Sequence, residues 1–178
     1  QAITDHLTGL MNRQGFESAL DGEIRHTDAM GGELACIFVD LDRFKWINDN
    51  LGHQAGDTVL RMLVELMRPL LPSGAVAARL GGDEFAVLLR SDRVEQEALE
   101  LSHRLCAIFD EPLLVHGATV RLSASIGVAL YPRHAANAAE LLQKSDMAMY
   151  SKKRDGKNGA LLYDPLIQDT TRQRAAIE

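Results

Sequence analysis

The apolar run Leu34-Ala35-Cys36-Ile37-Phe38-Val39 constrains the fold more than any other stretch of the chain. It has no polar residue at alternate positions, so a strand made of it has no face to turn to water. It must be covered on both sides. The covering elements are readable nearby. From Asp57 onward Leu60, Leu63, Val64, Met67, Leu70 and Leu71 recur at helical spacing, until Pro69 and Pro72 stop the pattern. Helices are also predicted over 12–20, after a turn at Thr8, over 94–109 and over 138–153.

Two short apolar runs, 75–80 and 85–89, flank Gly81-Gly82-Asp83-Glu84. Glycine supplies the positive φ angles of a tight turn, so the segment reads as a β-hairpin with Asp83 and Glu84 at its tip. A second hairpin is predicted from 113–116 and 119–131 around Gly117-Ala118, with Pro132 ending it, and a closing strand over 160–163. The fold class is α+β. With 178 residues and 46% hydrophobic content, one domain over 1–163 accounts for the core, and 164–178 is a polar, helix-prone tail or linker to a downstream domain.

A net charge of −6 argues against a general nucleic-acid binder, whose surface needs an excess of Lys and Arg. No stretch approaches the roughly 20 apolar residues that cross a bilayer, and no secretion signal opens the chain. Cys36 and Cys106 have no metal-ligand spacing and read as reduced, buried thiols of a cytoplasmic domain. The chain lacks an initiator Met and reads as part of a longer protein, whose membrane anchoring the sequence leaves open.

Two acidic motifs stand out. Asp40-Leu41-Asp42 follows the apolar run, where ligands of open sheets gather, and carboxylates there suit a hard cation such as Mg²⁺. An isolated Asp-x-Asp equally fits a strand-end turn with both aspartates in water. A calcium loop fails, because Phe44 stands where another oxygen ligand is needed. In Gly81-Gly82-Asp83-Glu84-Phe85 two glycines allow close backbone approach to a ligand, and two carboxylates follow. Taken alone, Lys152, Lys153, Arg154 and Lys157 read as a solvated helix end, Asn48 as a cap or turn residue, and Asp57 as the N-cap of the helix it precedes.

Arg79-Leu80-Gly81-Gly82-Asp83-Glu84-Phe85 resembles the signature of the GGDEF family of diguanylate cyclases. Its companions occur in order: Asp5-His6-Leu7-Thr8-Gly9-Leu10 with Asn12-Arg13, then Asp40 to Lys45 with Asn48-Asp49, Gly52-His53 and Gly56-Asp57. Ser125-Ile126-Gly127-Val128 and the run from Asp146 through Ala148-Met149-Tyr150 and Lys153 to Gly156-Lys157-Asn158 resemble its closing blocks. The resemblance implies a fold like the nucleotidyl cyclases and polymerase palms, with a central mixed, largely antiparallel sheet flanked by helices.

It also implies a reaction: two GTP molecules become cyclic di-GMP, each 3′-hydroxyl attacking the other's α-phosphate with loss of pyrophosphate, aided by Mg²⁺ or Mn²⁺. By the resemblance Asp40, the Leu41 carbonyl, Asp83 and Glu84 hold metal, and Glu84 with Asp83 serves catalysis. Asn48 and Asp57 read guanine, while Phe44, Lys45, Gly81, Gly82, Lys153 and Lys157 complete substrate binding. Lys153 and Lys157, four apart, share a face if the helix continues. One domain holds one GTP, so a homodimer is the working state, with fused sensory or EAL domains as further partners. The rival is a non-catalytic GTP-binding domain that regulates an adjacent EAL-type phosphodiesterase.

Two positions depart from the family. Lys157 stands where arginine is common, which keeps the charge but loses bidentate phosphate geometry. Pro72-Ser73-Gly74-Ala75 fills the window where many members carry an inhibitory Arg-x-x-Asp. The segment is therefore expected to bind cyclic di-GMP no tighter than about micromolar in equilibrium dialysis. A sub-micromolar Kd that is abolished by replacing residues 72–75 contradicts this.

Overall fold

The computed structural model describes residues 2–167. Helix α1 (Arg13–Met30) leads into strand β1 (Leu34–Asp42), followed by helices α2 (Phe44–Leu51) and α3 (His53–Met67). Strands β2 (Val76–Gly81) and β3 (Glu84–Arg90) come next, then α4 (Val94–Ala107). A small hairpin of β4 (Leu113–Val115) and β5 (Ala118–Val120) precedes β6 (Ser123–Tyr131), α5 (Ala138–Arg154) and β7 (Gly159–Leu162). The main sheet has the order β2-β3-β1-β6-β7, antiparallel throughout except for the parallel pair β6–β7. This is the mixed, largely antiparallel α+β architecture expected from the sequence.

Every residue of β1 is buried, because the strand lies mid-sheet with a separate core on each face. Ile37 and Val39 pack with Val87 and Ile126 beneath Leu60 and Leu63 of α3 and Leu101 of α4. Cys36 and Phe38 pack with Ala86 and Leu88 beneath Phe16 and Leu20 of α1 and Leu141 and Met149 of α5. Each large side chain so buried contributes roughly 1.5–3 kcal/mol. The alternation along β1 has a direct consequence for function. Asp40 and Asp42 continue the face of Cys36 and Phe38, so both carboxylates point to the α1/α5 side.

Several boundaries differ from the sequence reading. Helix α1 begins where expected, Asn12 capping it by accepting from the Gly15 amide at 2.9 Å, but it runs on to Met30 because Ile24 and Thr27 are buried too. Helix α2 was not expected, since only Phe44 and Ile47 of its eight residues are buried, too few to show a period. Helix α3 starts at His53, so Asp57 lies inside it and cannot be its N-cap; Gly52 holds that position. The predicted strand 119–131 is two strands, β5 pairing with β4 and β6 joining the main sheet. Cys106 is only half-buried, whereas Cys36 is fully buried and its thiol is pushed up to about 12 by burial; both are free. Of the predicted tail, 164–167 forms a turn and 168–178 lies outside the described residues.

Gly127 fixes the distance between β6 and α5. A Cβ there would stand 2.1 Å from both Met149 N and Ser145 O, backbone atoms that cannot swing aside. Gly127→Ala is expected to cost about 3 kcal/mol or more, read as a lower urea midpoint at unchanged slope. An unchanged midpoint contradicts this packing.

Candidate active site

The site forms where the α1/α5 core runs out at the end of β1. Asp40 and Asp42 are 1% and 2% exposed, which excludes a strand-end turn with aspartates in water. Buried charge needs partners. The main one is Lys153, in the last turn of α5 and 6% exposed, whose ammonium lies 3.3 Å from Asp40 Oδ2 and 3.7 Å from Asp42 Oδ1. It also donates to the Leu41 carbonyl at 3.4 Å. Lys153 is therefore no solvated helix end, unlike the exposed Arg154.

The two aspartates then part ways. Asp42 accepts from Ser123 Oγ at 2.5 Å, Ser125 Oγ at 2.7 Å and the Asn158 amide at 3.1 Å, so its lone pairs are spent on the scaffold. Asp40 keeps Oδ1 buried without a hydrogen-bond donor among the described residues. Burial, and after it the Asp83 carboxylate, push the Asp40 carboxyl far above the ordinary carboxylate range, with Lys153 only partly offsetting them. A buried acceptor without a donor, among like charges, is an environment that a cation relieves.

The Gly81-Gly82 turn brings the second acidic motif to this place. Glu84 opens β3 directly opposite Asp40 in the antiparallel register. Gly81 and Gly82 have φ of 145° and 50°, which close the turn after a bulge in β2. The Asp83 carbonyl accepts from the Leu41 amide at 3.3 Å, tying the turn to β1. Arg79 steadies the turn from behind: its Nε donates to the Gly82 carbonyl at 2.9 Å, and its other arm pairs with Asp5 at 3.1 Å. Sequence reasoning gave Arg79 and Asp5 no role.

Leu41, Phe44, Lys45, Asp83, Lys153 and Lys157 line one cleft of about 530 Å³. Arg43 and Trp46 join its wall without having been predicted. Helix α5 ends at Arg154, so Lys157 reaches the cleft from the following turn, at φ 64°, and not from a shared helical face. Glu84 lines a larger hollow of about 680 Å³ between α1 and α5, with Phe38 and Asp146. That hollow holds no other predicted site residue. Asn48 on α2 and Asp57 on α3 are both half-buried and line neither hollow, and Gly81 and Gly82 are exposed. The network that spends Asp42 was also missed, because Ser123 and Ser125 meet it only through the β1–β6 register.

Among the described residues, no group of three or more His, Cys, Asp or Glu side chains forms a ready metal cage. The donors still fit a hard cation that takes few protein ligands. Mg²⁺ is commonly held by one or two carboxylates, with water and substrate phosphate completing its shell.

A family profile described as diguanylate cyclase, GGDEF domain, matches residues 2–159. Diguanylate cyclase TpbB of Pseudomonas aeruginosa is 46% identical over 171 residues, covering 94% of this chain and 39% of TpbB. Cyclic di-GMP phosphodiesterase NbdA of the same organism is 40% identical, covering 89% of this chain and 20% of NbdA. The chain thus spans less than half the length of either relative. The solved GGDEF domain of TpbB superposes with a TM-score of 0.86 at 44% identity, covering 90% of this chain and 94% of that one. The active GGEEF domain of a diguanylate cyclase from Vibrio cholerae gives 0.80 at 29% identity, covering 87% and 98%. By motif order, by fold and by these matches, the chain belongs to the GGDEF family of diguanylate cyclase domains.

Proposed function

We propose that the domain condenses two GTP molecules into cyclic di-GMP, each of two facing copies contributing one nucleotide. The observation that carries this reading is buried Asp40, its Oδ1 without a donor among the described residues, opposite Glu84 and held by Lys153, which lines a cleft with Lys45 and Lys157. Asp40, the Leu41 carbonyl, Asp83 and Glu84 are the groups that would hold Mg²⁺ or Mn²⁺. A bound divalent ion would lower the pKa of the attacking hydroxyl and offset charge on the phosphate.

The chain's own residues then have distinct tasks. Lys153, Lys157 and Lys45 bind the triphosphate, and Lys153 and Lys157 neutralise the leaving pyrophosphate. In each half-reaction the O3′–Pα bond forms, the bond from Pα to the bridging oxygen of pyrophosphate breaks, and Glu84 takes the hydroxyl proton. Asp83 holds the turn against β1 and adds negative charge at the metal position. Phe44 closes the apolar side of the cleft. Gly81 and Gly82 let the turn backbone approach the phosphates, and Asn48 and Asp57 recognise the guanine edge.

One observation favours a second reading, a GTP-binding domain that regulates an attached phosphodiesterase: a 40% identical relative is named a cyclic di-GMP phosphodiesterase. Incubation with GTP and Mg²⁺ or Mn²⁺, followed by mass analysis, separates the two. The account expects cyclic di-GMP, and expects Glu84→Gln to slow its formation roughly 10²-fold or more while GTP still binds. GTP binding without product, even in a forced dimer, supports the regulator instead. Full activity in Glu84→Gln removes Glu84 from the chemistry.

A second expectation concerns Lys153. Lys153→Ala strands two buried carboxylates and is expected to cost about 3–5 kcal/mol of stability in urea denaturation, beyond its effect on GTP binding. A stability change under about 0.5 kcal/mol, the usual range for surface substitutions, contradicts the burial assigned to it.

A further inference from the structure

We propose that Gly56 is a positioning residue that seats the Asn48 amide for base recognition, an inference resting on the guanine contact proposed for Asn48. Gly56 lies inside α3, where glycine is disfavoured relative to alanine. Its backbone is ordinary helix, with no positive φ, so no turn requires it. The reason lies in its missing side chain. A Cβ at Gly56 would stand 2.0 Å from Asn48 Oδ1, 3.1 Å from Asn48 Cγ and 3.2 Å from Phe44 Cζ. The volume a methyl group would fill is occupied by the Asn48 amide, with the Phe44 ring of the cleft wall close by.

The backbone locks this seat in place. The Gly52 amide donates to the Asn48 carbonyl at 3.1 Å, and the Gly56 amide donates to the Gly52 carbonyl at 3.1 Å. These two bonds end α2 and begin α3 at Gly52, and across that elbow the Asn48 side chain meets Gly56. Asp57, the other proposed base-reading residue, is the next residue along α3. The arrangement thus couples the two readers: helix α3 presents Asp57 and, one position earlier, the notch that holds Asn48. Asn48 as a whole stays half-buried, so the notch does not seal the residue from solvent.

Alanine at position 56 collides first with the end of the Asn48 side chain, which can rotate away at little cost to the fold. Base recognition carries the loss. The test is calorimetric binding of non-hydrolysable guanosine and adenosine triphosphate analogues with Mg²⁺ to wild type, G56A, N48A and N48A/G56A. G56A and N48A are each expected to lower the guanine-over-adenine preference roughly tenfold, the scale of one lost hydrogen bond. The double variant is expected to fall no further than N48A, since Gly56 acts through Asn48. If G56A lowers the melting temperature, N48A/G56A restores it, because the colliding amide is gone.

A folded G56A with a preference within about twofold of wild type overturns the inference. So does a double variant that loses a further tenfold or so, or one that restores no stability to a weakened G56A. A wild type that binds neither analogue, or both alike, overturns the guanine contact itself and the inference with it.

Discussion

The buried contact of Lys153 with Asp40 and Asp42 is the interaction around which this domain is arranged. Two carboxylates and one ammonium at the end of a buried strand are costly to desolvate, and removing one partner would strand the others. The scaffold settles only half of the excess charge. Ser123, Ser125 and the Asn158 amide satisfy Asp42, so Asp42 anchors β1, β6 and the segment after α5 to one another. Asp40 is left facing the Asp83 carboxyl, with a buried Oδ1 that no donor among the described residues meets. A fold that retains such a group forgoes stability there, and strained polar groups of this kind concentrate where ligands bind.

The position of that cluster follows from the two cores. Strand β1 is apolar for as long as helices cover both its faces, and its first charged residue is Asp40. Strand alternation directs Asp40 and Asp42 to the α5 side, and the antiparallel register sets Glu84 across from Asp40. Gly127 lets α5 lie close on β6, so the last turn of α5 delivers Lys153 to the carboxylates. Arg79 joins the turn before Asp83 to Asp5 in the opening segment, so the geometry of the acidic turn depends on a residue 74 positions earlier in the chain.

Much of this was legible in the sequence, and the parts that were not share a cause. The buried strand, the hairpin and the long helices carry strong local signals, and each is present in the structure. The hairpin turn, however, holds only Gly82 and Asp83, while Glu84, expected at the tip, is already paired in β3. Helix α2 escaped because two buried residues cannot establish a period, and the start of α3 was misplaced because glycine at 52 and 56 masks the helical pattern. The Asp-x-Asp pattern alone does not distinguish Asp40 from Asp42, because the serines that occupy Asp42 are 81 and 83 residues away. The notch at Gly56 was likewise invisible, since a glycine's neighbours are set by helix packing. Local chemistry singled out the two acidic motifs and the family resemblance named the remaining candidate residues, whereas the contacts among them are a property of register and close packing.

The central claim is that the acidic cluster and the lysines form one site, in which a triphosphate and a divalent cation depend on each other. Calorimetric titration of a non-hydrolysable GTP analogue, with and without Mn²⁺, tests it most directly. Without the ion the triphosphate must enter beside buried carboxylates, so the account predicts affinity at least about tenfold weaker, a coupling free energy of about 1.4 kcal/mol, largely erased in Asp40→Asn. Equal affinity with and without Mn²⁺ in the wild-type domain would contradict it.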